Sequence, residues 1–296
     1  MNRIIIYTRL FIIIFAALFS TSVSAAMKNY AANYEFSQWD NSRSTPIQCK
    51  LEHNIPRYGQ ATFTSRASKL INLDFELDMK RLPARAEMAS LRAVPPNWKP
   101  GHAATDLADV KLYRQFSGYV SEQPAWRMLD ALDSGDYPTF YFRDWYRGGE
   151  FISVGLSSVN FQNEYQEFLE CVSNLLPYSL DDIAYSVLDF NESTDELTKS
   201  SQQRLAMIRE FLQYSPEINV VVIDSYTGSY GDTLQNQQIS SLRAENIKQY
   251  FLASGLKDLE VMTKGYGEKS QIASNSNVVE RQKNQRVVIS LGQPIL

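Results

Sequence analysis

Alternating hydrophobic and polar positions run through the first half of the chain. In KLINLDFELDM (69–79), Leu70 aside, apolar residues occupy every second position from Ile71 to Met79, with polar residues between them. A period of two is typical of a strand with one buried and one solvated face. Three further segments have a similar pattern and are predicted to be strands, the last two joined by a turn at Gly148 and Gly149: 109–121, 136–146 and 150–158.

Two segments of the first half have helical spacing instead. Segment 124–135 has Pro124 in its first turn and Gly135 at its end, the usual positions of these residues in a helix. A second helix is predicted after Asn160 and before Pro177, because its apolar residues recur at the 3.6-residue spacing of one helical face. These residues are Phe161, Tyr165, Phe168, Leu169, Val172, Leu175 and Leu176.

From about residue 182 onward, strands and helices alternate. The predicted strands are 182–190, 219–227, 258–268 and 285–291. The predicted helices are 191–216, with Ser193 and Glu196 spaced as a capping box, and 240–255, ended by Gly255. This βαβαββ order predicts an α/β sandwich in which helices cover one face of a mixed sheet. The predicted fold class is therefore α+β, with a β-rich domain over 26–178 and the sandwich over 182–296.

The N-terminus indicates export. Arg3 and Arg9 precede a short apolar stretch, Leu10 to Phe19, and small residues precede Ala26, which is the order of a secretory signal peptide over residues 1–25. An uncleaved membrane anchor is the weaker alternative, because a spanning helix needs about 20 apolar residues. Cleavage changes the net charge from −4 to about −6, which does not indicate nucleic-acid binding.

The chain has two cysteines, Cys49 and Cys171, which lie 122 residues apart. In an oxidising compartment one disulfide is the default expectation, and two buried free thiols are the alternative. Cys171 is on the second predicted helix, so a bond to Cys49 would join the end of the first domain to a point near its beginning.

Catalytic and metal-binding patterns are sparse. Cys49 and His53 have a spacing that occurs in zinc sites, but no second pair completes four ligands. Asp74, Glu76 and Asp78 lie on one face of a predicted strand, and a solvated surface explains them better than an acid–base pair. No glycines typical of a nucleophile elbow surround a serine. We therefore predict neither an enzyme nor a cofactor.

The second half contains an ordered series of motif residues. They are Ser225, Thr227, Gly228, Gly231, Gln235-Asn236, Ile239-Ser240 and Arg243-Ala244, followed by KGYGE (264–268) and RQKNQRVVI (281–289). In this order and at these spacings, residues 182–291 resemble the OmpA-like peptidoglycan-binding domain, with Gln285 replacing one Arg of the last motif.

The resemblance implies a ligand and a set of binding residues. The ligand is the free end of meso-diaminopimelate in a wall stem peptide, which has both a carboxylate and an ammonium group. Arg243 is implied to bind the carboxylate through charge-assisted bonds. The remaining implied site residues are Thr227, Asn236, Asn284 and Arg286. From the residues alone, Arg243 would be an exposed helix residue, and Arg286 a salt-bridging residue at the last strand.

Gly228 departs from this family pattern. It occupies the position of the family's Asp, the acid implied to contact the ligand's ammonium group. Losing a charged hydrogen-bond partner costs about 1.5–3 kcal/mol, so weaker or absent peptidoglycan binding is expected unless another acid compensates. Asp224 and Asp232 flank the loop and are candidates for this role. The alternative is that Gly228 only provides a turn with positive φ.

The whole layout resembles the MotY family, periplasmic components of sodium-driven polar flagellar motors. The observations behind this resemblance are the signal sequence, the β-rich domain, DSYTGSYG (224–231) and the Cys49–Cys171 spacing. It implies a non-enzymatic ring around the basal body that recruits stator units. The implied partners are peptidoglycan, a MotX-like protein, the basal body rings and a stator of the PomA/PomB type. The alternative is a general envelope protein, either a wall anchor or an enzyme with its site in the first domain.

Overall fold

The computed structural model describes residues 27–146, 149–191, 194–229, 231–256 and 259–292. The predicted signal peptide, Gly148 of the predicted turn and Ser193 of the predicted capping box lie outside the described residues. The chain folds into two compact units: the first contains the residues up to Trp39, His53–Thr62 and Phe75–Gln162, and the second contains Asp40–Glu52, Phe63–Asp74 and the residues from Asn163. The domain boundary at 178–182 stays a prediction.

Strands dominate the chain as far as residue 176. In chain order they are β1 (Met27–Tyr30), β2 (Trp39–Asp40), β3 (Gln48–Ile55), β4 (Gly59–Arg66), β5 (Asp74–Met79), β6 (Glu87–Val94), β7 (Thr105–Leu112), β8 (Gly118–Ser121), β9 (Tyr137–Arg143) and β10 (Phe151–Gly155). Helix α1 (Gln123–Asp133) precedes β9 and helix α2 (Gln162–Ser173) follows β10. One sheet has the order β1-β10-β9-β6-β7 and another β2-β3-β4-β5-β8.

Most of the expected strands are present, with shorter bounds. β5 begins at Asp74 rather than Lys69, because the Asn72 side chain accepts a hydrogen bond from the Arg66 N–H and donates one to the Arg66 carbonyl, at 2.9 and 2.8 Å. These bonds close the preceding segment into a loop. Within β5, Glu76 and Asp78 are exposed, as expected for a solvated face.

Segment 109–121 is two strands, β7 and β8, rather than one. The chain turns between them, and Gln115 adopts φ 63°, a left-handed conformation that ends a strand. The predicted helix ends are confirmed at α1, which has Pro in its first turn and is followed by Gly135 at φ 81°.

The two cysteines form a disulfide. Cys49 lies on β3 and Cys171 on α2, with their Cα atoms 5.9 Å apart. The expected pairing is therefore confirmed, and the alternative of two free thiols is wrong.

Four strands and their helices follow in the second unit. In chain order the elements are α3 (Leu180–Ile183), β11 (Tyr185–Asp189), α4 (Lys199–Leu212), β12 (Val220–Tyr226), α5 (Thr233–Leu252), β13 (Glu260–Gly265), α6 (Val278–Asn284) and β14 (Arg286–Gly292). The sheet order is β11-β14-β12-β13, in which β12 and β13 are parallel and β14 is antiparallel to β11 and β12.

The apolar sides of α4 and α5 pack on the same face of this sheet. The shared core includes Leu188, Val221, Ile223, Val287 and Ile289 from the strands, and Leu205, Ile208, Phe211, Ala244, Ile247 and Phe251 from the helices. The opposite sheet face is open at Tyr185 and Val187, which are exposed. A mixed sheet covered on one face by helices is therefore confirmed.

Local differences from the predicted elements occur at helix ends. Asp182 does not begin a strand: it lies in α3, where its carboxylate accepts a hydrogen bond from the Ser179 N–H at 3.0 Å. Helix α4 begins at Lys199, capped by Thr198, whose hydroxyl accepts a bond from the Ser201 N–H at 3.2 Å. Helix α6 between β13 and β14 was not predicted.

Within the described ranges, no helix has the length and apolar character needed to span a bilayer.

Candidate functional site

The predicted binding residues lie where the parallel strands β12 and β13 end. Thr227 follows β12, and its N–H donates to the Gly267 carbonyl at 2.8 Å. The Gly267 N–H in turn donates to the hydroxyl of Ser240 on α5 at 2.9 Å. These bonds join the loop after β12, the loop after β13 and α5. Carboxyl ends of parallel strands next to a helix are a frequent location of ligand sites in α/β folds.

Arg243 is buried in this region rather than exposed. Its side chain is 9% exposed, and its guanidinium lies 4.2 Å from the centre of the Phe190 ring. Nη2 and Nε contact Oδ1 of Asp195 at 2.7 and 2.9 Å, and Nη2 also donates to the Thr194 carbonyl at 3.4 Å. Within the described parts of the chain, Nη1 makes no hydrogen bond. Arg243 is thus held by a ring and an acid, with Nη1 free of hydrogen bonds to the described residues.

Arg286 is a second buried cation at the same end of the sheet. It pairs in register with Tyr226 of β12 and Asp189 of β11. Its guanidinium lies 4.1 Å from the centre of the Tyr226 ring, which stacks on Tyr266 at 5.0 Å. The contacts found are to the Ser270 and Asn284 carbonyls, at 3.1 and 3.4 Å, rather than the salt bridge expected from the residue alone.

Asn236 belongs to a polar cluster around Glu268. The buried Asn236 amide donates to Glu268 at 3.4 Å, and the hydroxyls of Ser229 and Thr233 donate to the same carboxylate at 3.2 and 3.0 Å. Glu268 is the acid of the KGYGE motif, so the sequence pattern contained its signal although Glu268 was not among the predicted binding residues. The cluster brings the two loops and the first turn of α5 together around one carboxylate.

Asn284 holds a loop. The residue is fully buried; its Oδ1 accepts bonds from the N–H groups of Ile272 and Ala273 at 2.8 and 3.0 Å, and its Nδ2 donates to the Ala273 carbonyl at 2.9 Å. An amide with both ends engaged shapes the 272–275 segment next to Arg286.

Thr227 has a side chain that is buried and unsatisfied. Its hydroxyl oxygen finds no hydrogen-bond partner within the described residues, and the residue is 5% exposed. Because a buried polar group without a partner costs free energy, such a group at a strand end is a candidate ligand contact.

Gly228 is not a positive-φ glycine, so that interpretation is wrong. The left-handed glycine of this loop is Gly231, at φ 92°. A Cβ on Gly228 would lie 3.1 Å from the Arg281 carbonyl oxygen, so Gly228 provides a close approach to the segment that precedes β14.

The two acids that flank the loop have different surroundings. Asp232 caps α5, accepting a bond from the Gln235 N–H at 3.3 Å. Asp224 lies within β12, where burial raises its pKa and the charge of Lys264 opposes that increase. The carboxylate that contacts Arg243 is instead Asp195, 48 residues away in sequence, and no local pattern indicated this contact.

The candidates of the first half do not form a metal centre. Cys49 is bonded to Cys171. His53 is fully buried, stacked on Trp39 at 4.5 Å, and burial lowers its pKa to about 4. Across the described ranges, no group of three or more His, Cys, Asp or Glu residues is arranged to hold a metal ion.

Comparison with known proteins gives matches to both parts of the chain. Residues 30–177 match the MotY N-terminal domain and residues 189–285 match the OmpA family. The sodium-type flagellar protein MotY of Vibrio parahaemolyticus is 41% identical over 281 residues, covering 95% of this chain and 96% of that protein. The outer-membrane lipoprotein YfiB of Pseudomonas aeruginosa is 30% identical over 100 residues, 34% of this chain and 59% of the lipoprotein.

Solved structures match over part of the chain. The C-terminal domain of Helicobacter pylori MotB has 19% identity and a TM-score of 0.33, covering 37% of this chain and 85% of that one. The full-length match, together with the two family matches, decides the assignment: the chain belongs to the MotY family of flagellar motor proteins and contains an OmpA family domain.

Proposed function

We propose that the protein anchors the flagellar motor to the cell wall in the periplasm. The OmpA family domain binds the diaminopimelate end of a peptidoglycan stem peptide, and the protein is not an enzyme. The observation that supports this most directly is Arg243, a buried guanidinium held between Phe190 and Asp195 with Nη1 unengaged by the described residues.

The carboxylate of the ligand binds at Nη1 of Arg243, the guanidinium nitrogen that makes no hydrogen bond to the described residues. Because the guanidinium is a planar fork of donors, Asp195 and Thr194 hold Nε and Nη2 while Nη1 donates to the ligand. Arg286 adds a second positive charge, and the unpaired Thr227 hydroxyl supplies a donor. Asn236 and Asn284 act as supports, the first on Glu268 and the second on the 272–275 loop.

The ammonium group of the ligand requires an acid, which Gly228 does not provide. Asp195 is the best replacement, because both of its contacts with Arg243 are made through Oδ1 and its side chain is 70% exposed. One oxygen then orients Arg243 while the other remains for the ammonium group.

The wider role in the motor rests on family membership. In this proposal the chain is exported by cleavage before Ala26 and forms a ring around the basal body. The first domain contacts the basal body rings and a MotX-like partner, and the ring recruits or stabilises a sodium-driven stator of the PomA/PomB type. The wall-binding domain fixes this ring in place.

Cosedimentation with purified sacculi tests the wall site. We expect wild-type protein to sediment, free meso-diaminopimelate to release it, and Arg243→Ala to lose most of the bound fraction. Lys248→Ala is the matched control, because it removes a positive charge from the same helix, where Lys248 has only a 3.8 Å contact with Glu245. If folded Arg243→Ala sediments as well as wild type, the proposed site is wrong.

Motility tests the role in the motor separately. Deletion of the gene is expected to leave assembled but paralysed filaments, restored by the wild-type gene. Normal swimming of the deletion strain would contradict the motor role and favour a general envelope protein, whatever the sacculus result.

A further inference from the structure

A second candidate site lies in the first unit, in a cavity of about 540 Å³. Its wall combines the turn between β3 and β4, the end of β5 and the segment after β9. The volume lies within the range of small-ligand pockets. It shares no residue with the wall site proposed above.

Positive charge is in excess around this cavity. Arg57, Lys80 and Arg81 line it, and within the described ranges none of them has a carboxylate partner. Lys28 also lines it, but this ammonium group already contacts Asp144 at 3.2 Å and Glu150. The cavity therefore presents three cations without a carboxylate partner among the described residues, beside one cation that two carboxylates hold.

A buried hydroxyl lies in the cavity wall. Tyr58 is 9% exposed, its ring packs against Tyr30 at 5.1 Å, and its hydroxyl oxygen has no hydrogen-bond partner among the described residues. Burial raises the pKa of this hydroxyl, with a smaller contribution from Tyr30, so it stays protonated at neutral pH. It is thus a hydrogen-bond donor without an acceptor among the described residues.

Backbone hydrogen bonds hold Arg57 and Lys80 close together in the cavity wall. The Tyr58 N–H donates to the Ile55 carbonyl at 3.0 Å, and the Lys80 N–H donates to the Tyr58 carbonyl at 3.0 Å. Between these bonds Arg57 adopts φ 66°, a left-handed conformation usually left to glycine. The turn that carries Arg57 is thereby fixed next to Lys80.

Aromatic surface adjoins the charges. Trp145 lines the cavity and stacks on Phe142 at 4.9 Å, and Tyr146 lies under the guanidinium of Arg81 at 4.5 Å. An anionic ligand in this cavity would therefore also contact rings.

We propose that this cavity binds an acidic peptide segment, in which carboxylates flank an aromatic or aliphatic side chain. The positive charges belong to separate residues, Arg57, Lys80 and Arg81, which suits carboxylates spaced along a peptide. Tyr58 donates to one carboxylate, and Trp145 contacts the side chain between the carboxylates.

Calorimetric titration of the purified protein tests this proposal. The probes are acetyl-Glu-Phe-Glu-amide, the uncharged acetyl-Gln-Phe-Gln-amide and inorganic phosphate. The variants are Tyr58→Phe, which removes only the unpaired hydroxyl, and Arg57→Gly, which removes the charge and suits the left-handed backbone. Lys111→Ala on β7 is the control for loss of an exposed charge outside the cavity.

The Glu peptide is expected to bind at least about tenfold more tightly than the Gln peptide. Tyr58→Phe and Arg57→Gly should each weaken it about tenfold without lowering the denaturant midpoint, whereas Lys111→Ala should leave it unchanged. Equal affinity for the two peptides would overturn the proposal, as would unchanged binding by both cavity variants. Tighter binding of phosphate, with displacement of the Glu peptide, would overturn the choice of a carboxylate ligand.

Discussion

Oδ1 of Asp195 lies 2.7 Å from Nη2 and 2.9 Å from Nε of Arg243, so an exposed loop acid holds a buried helix arginine. This contact orients the guanidinium before any ligand arrives. It also leaves a carboxylate beside the position where a ligand with both charges would bind.

Asp195→Asn is expected to weaken retention on sacculi about tenfold, because Asn keeps an acceptor for Arg243 but loses the charge needed by an ammonium group. Stability should also fall, because the Arg243 side chain is only 9% exposed and loses the charge that compensates it. Cosedimentation and thermal unfolding provide the two measurements.

Glu196→Gln is the control for this variant, because it neutralises the neighbouring exposed acid. Stronger retention of Asp195→Asn than of wild type would show that Asp195 competes with the wall for Arg243.

Gly228→Asp is expected to increase retention on sacculi about tenfold by restoring an acid beside the site. The backbone at Gly228 is not left-handed, so the only steric demand is that the Arg281 carbonyl, 3.1 Å from the new Cβ, moves by a few tenths of an ångström. Gly228→Asn has the same shape without the charge. Equal retention of the Asp and Asn variants would show that a charge at this position adds nothing.

Cys49→Ala is expected to lower the free energy of unfolding by about 4–5 kcal/mol in the chain-entropy model, because the bond closes a long loop. Urea unfolding under oxidising conditions measures the loss. Cys171→Ala and the double variant should lose no more than Cys49→Ala, since all three lack the same bond. Coincident unfolding curves of Cys49→Ala and oxidised wild type would refute a stabilising role.

The free energy of unfolding is expected to decrease as the pH is lowered, because of His53. Burial lowers the pKa of folded His53 to about 4, so between about pH 6.5 and 4 the unfolded chain binds a proton that the folded chain does not. The contribution is complete above about pH 6.5 and is lost as the pH falls, by on the order of 3 kcal/mol.

Urea unfolding at several pH values tests this dependence against His53→Phe, which keeps an aromatic ring against Trp39 but has no titrating nitrogen. The variant should lose less stability than wild type between neutral and acid pH. Parallel pH dependences in the two proteins would place the titration at other residues.

Long elements with a regular apolar period were predictable. The alternation in β5 and the 3.6-residue spacing in α2 reflect burial of one side, which local sequence records. Elements with short or competing sequence signals were not predictable. The four-residue helix α3 is too short to show a period, and both Ser193 and Thr198 are good helix caps, so sequence alone favoured the wrong start for α4.

Only those residues of the candidate sites that belong to sequence motifs were predictable. Arg243 and Arg286 were identified by motif and lie at one end of the sheet, but their ring partners Phe190 and Tyr226 were not expected. Asp195 reaches Arg243 across 48 residues of sequence, and the basic cavity assembles Lys28, Arg57, Lys80 and Trp145 from separate strands and turns. Such contacts depend on tertiary packing and leave no local pattern.

The parallel pairing of β1 with β10 has a consequence for the order of folding. Met27 aligns with Phe151 and Tyr30 with Val154, so the earliest described strand finds its sheet neighbour more than a hundred residues later. At a synthesis rate of about 5–20 residues per second, on the order of 6–25 seconds separate the synthesis of β1 from that of β10. β1 therefore has no sheet neighbour until β10 has been made, so this edge of the sheet closes late.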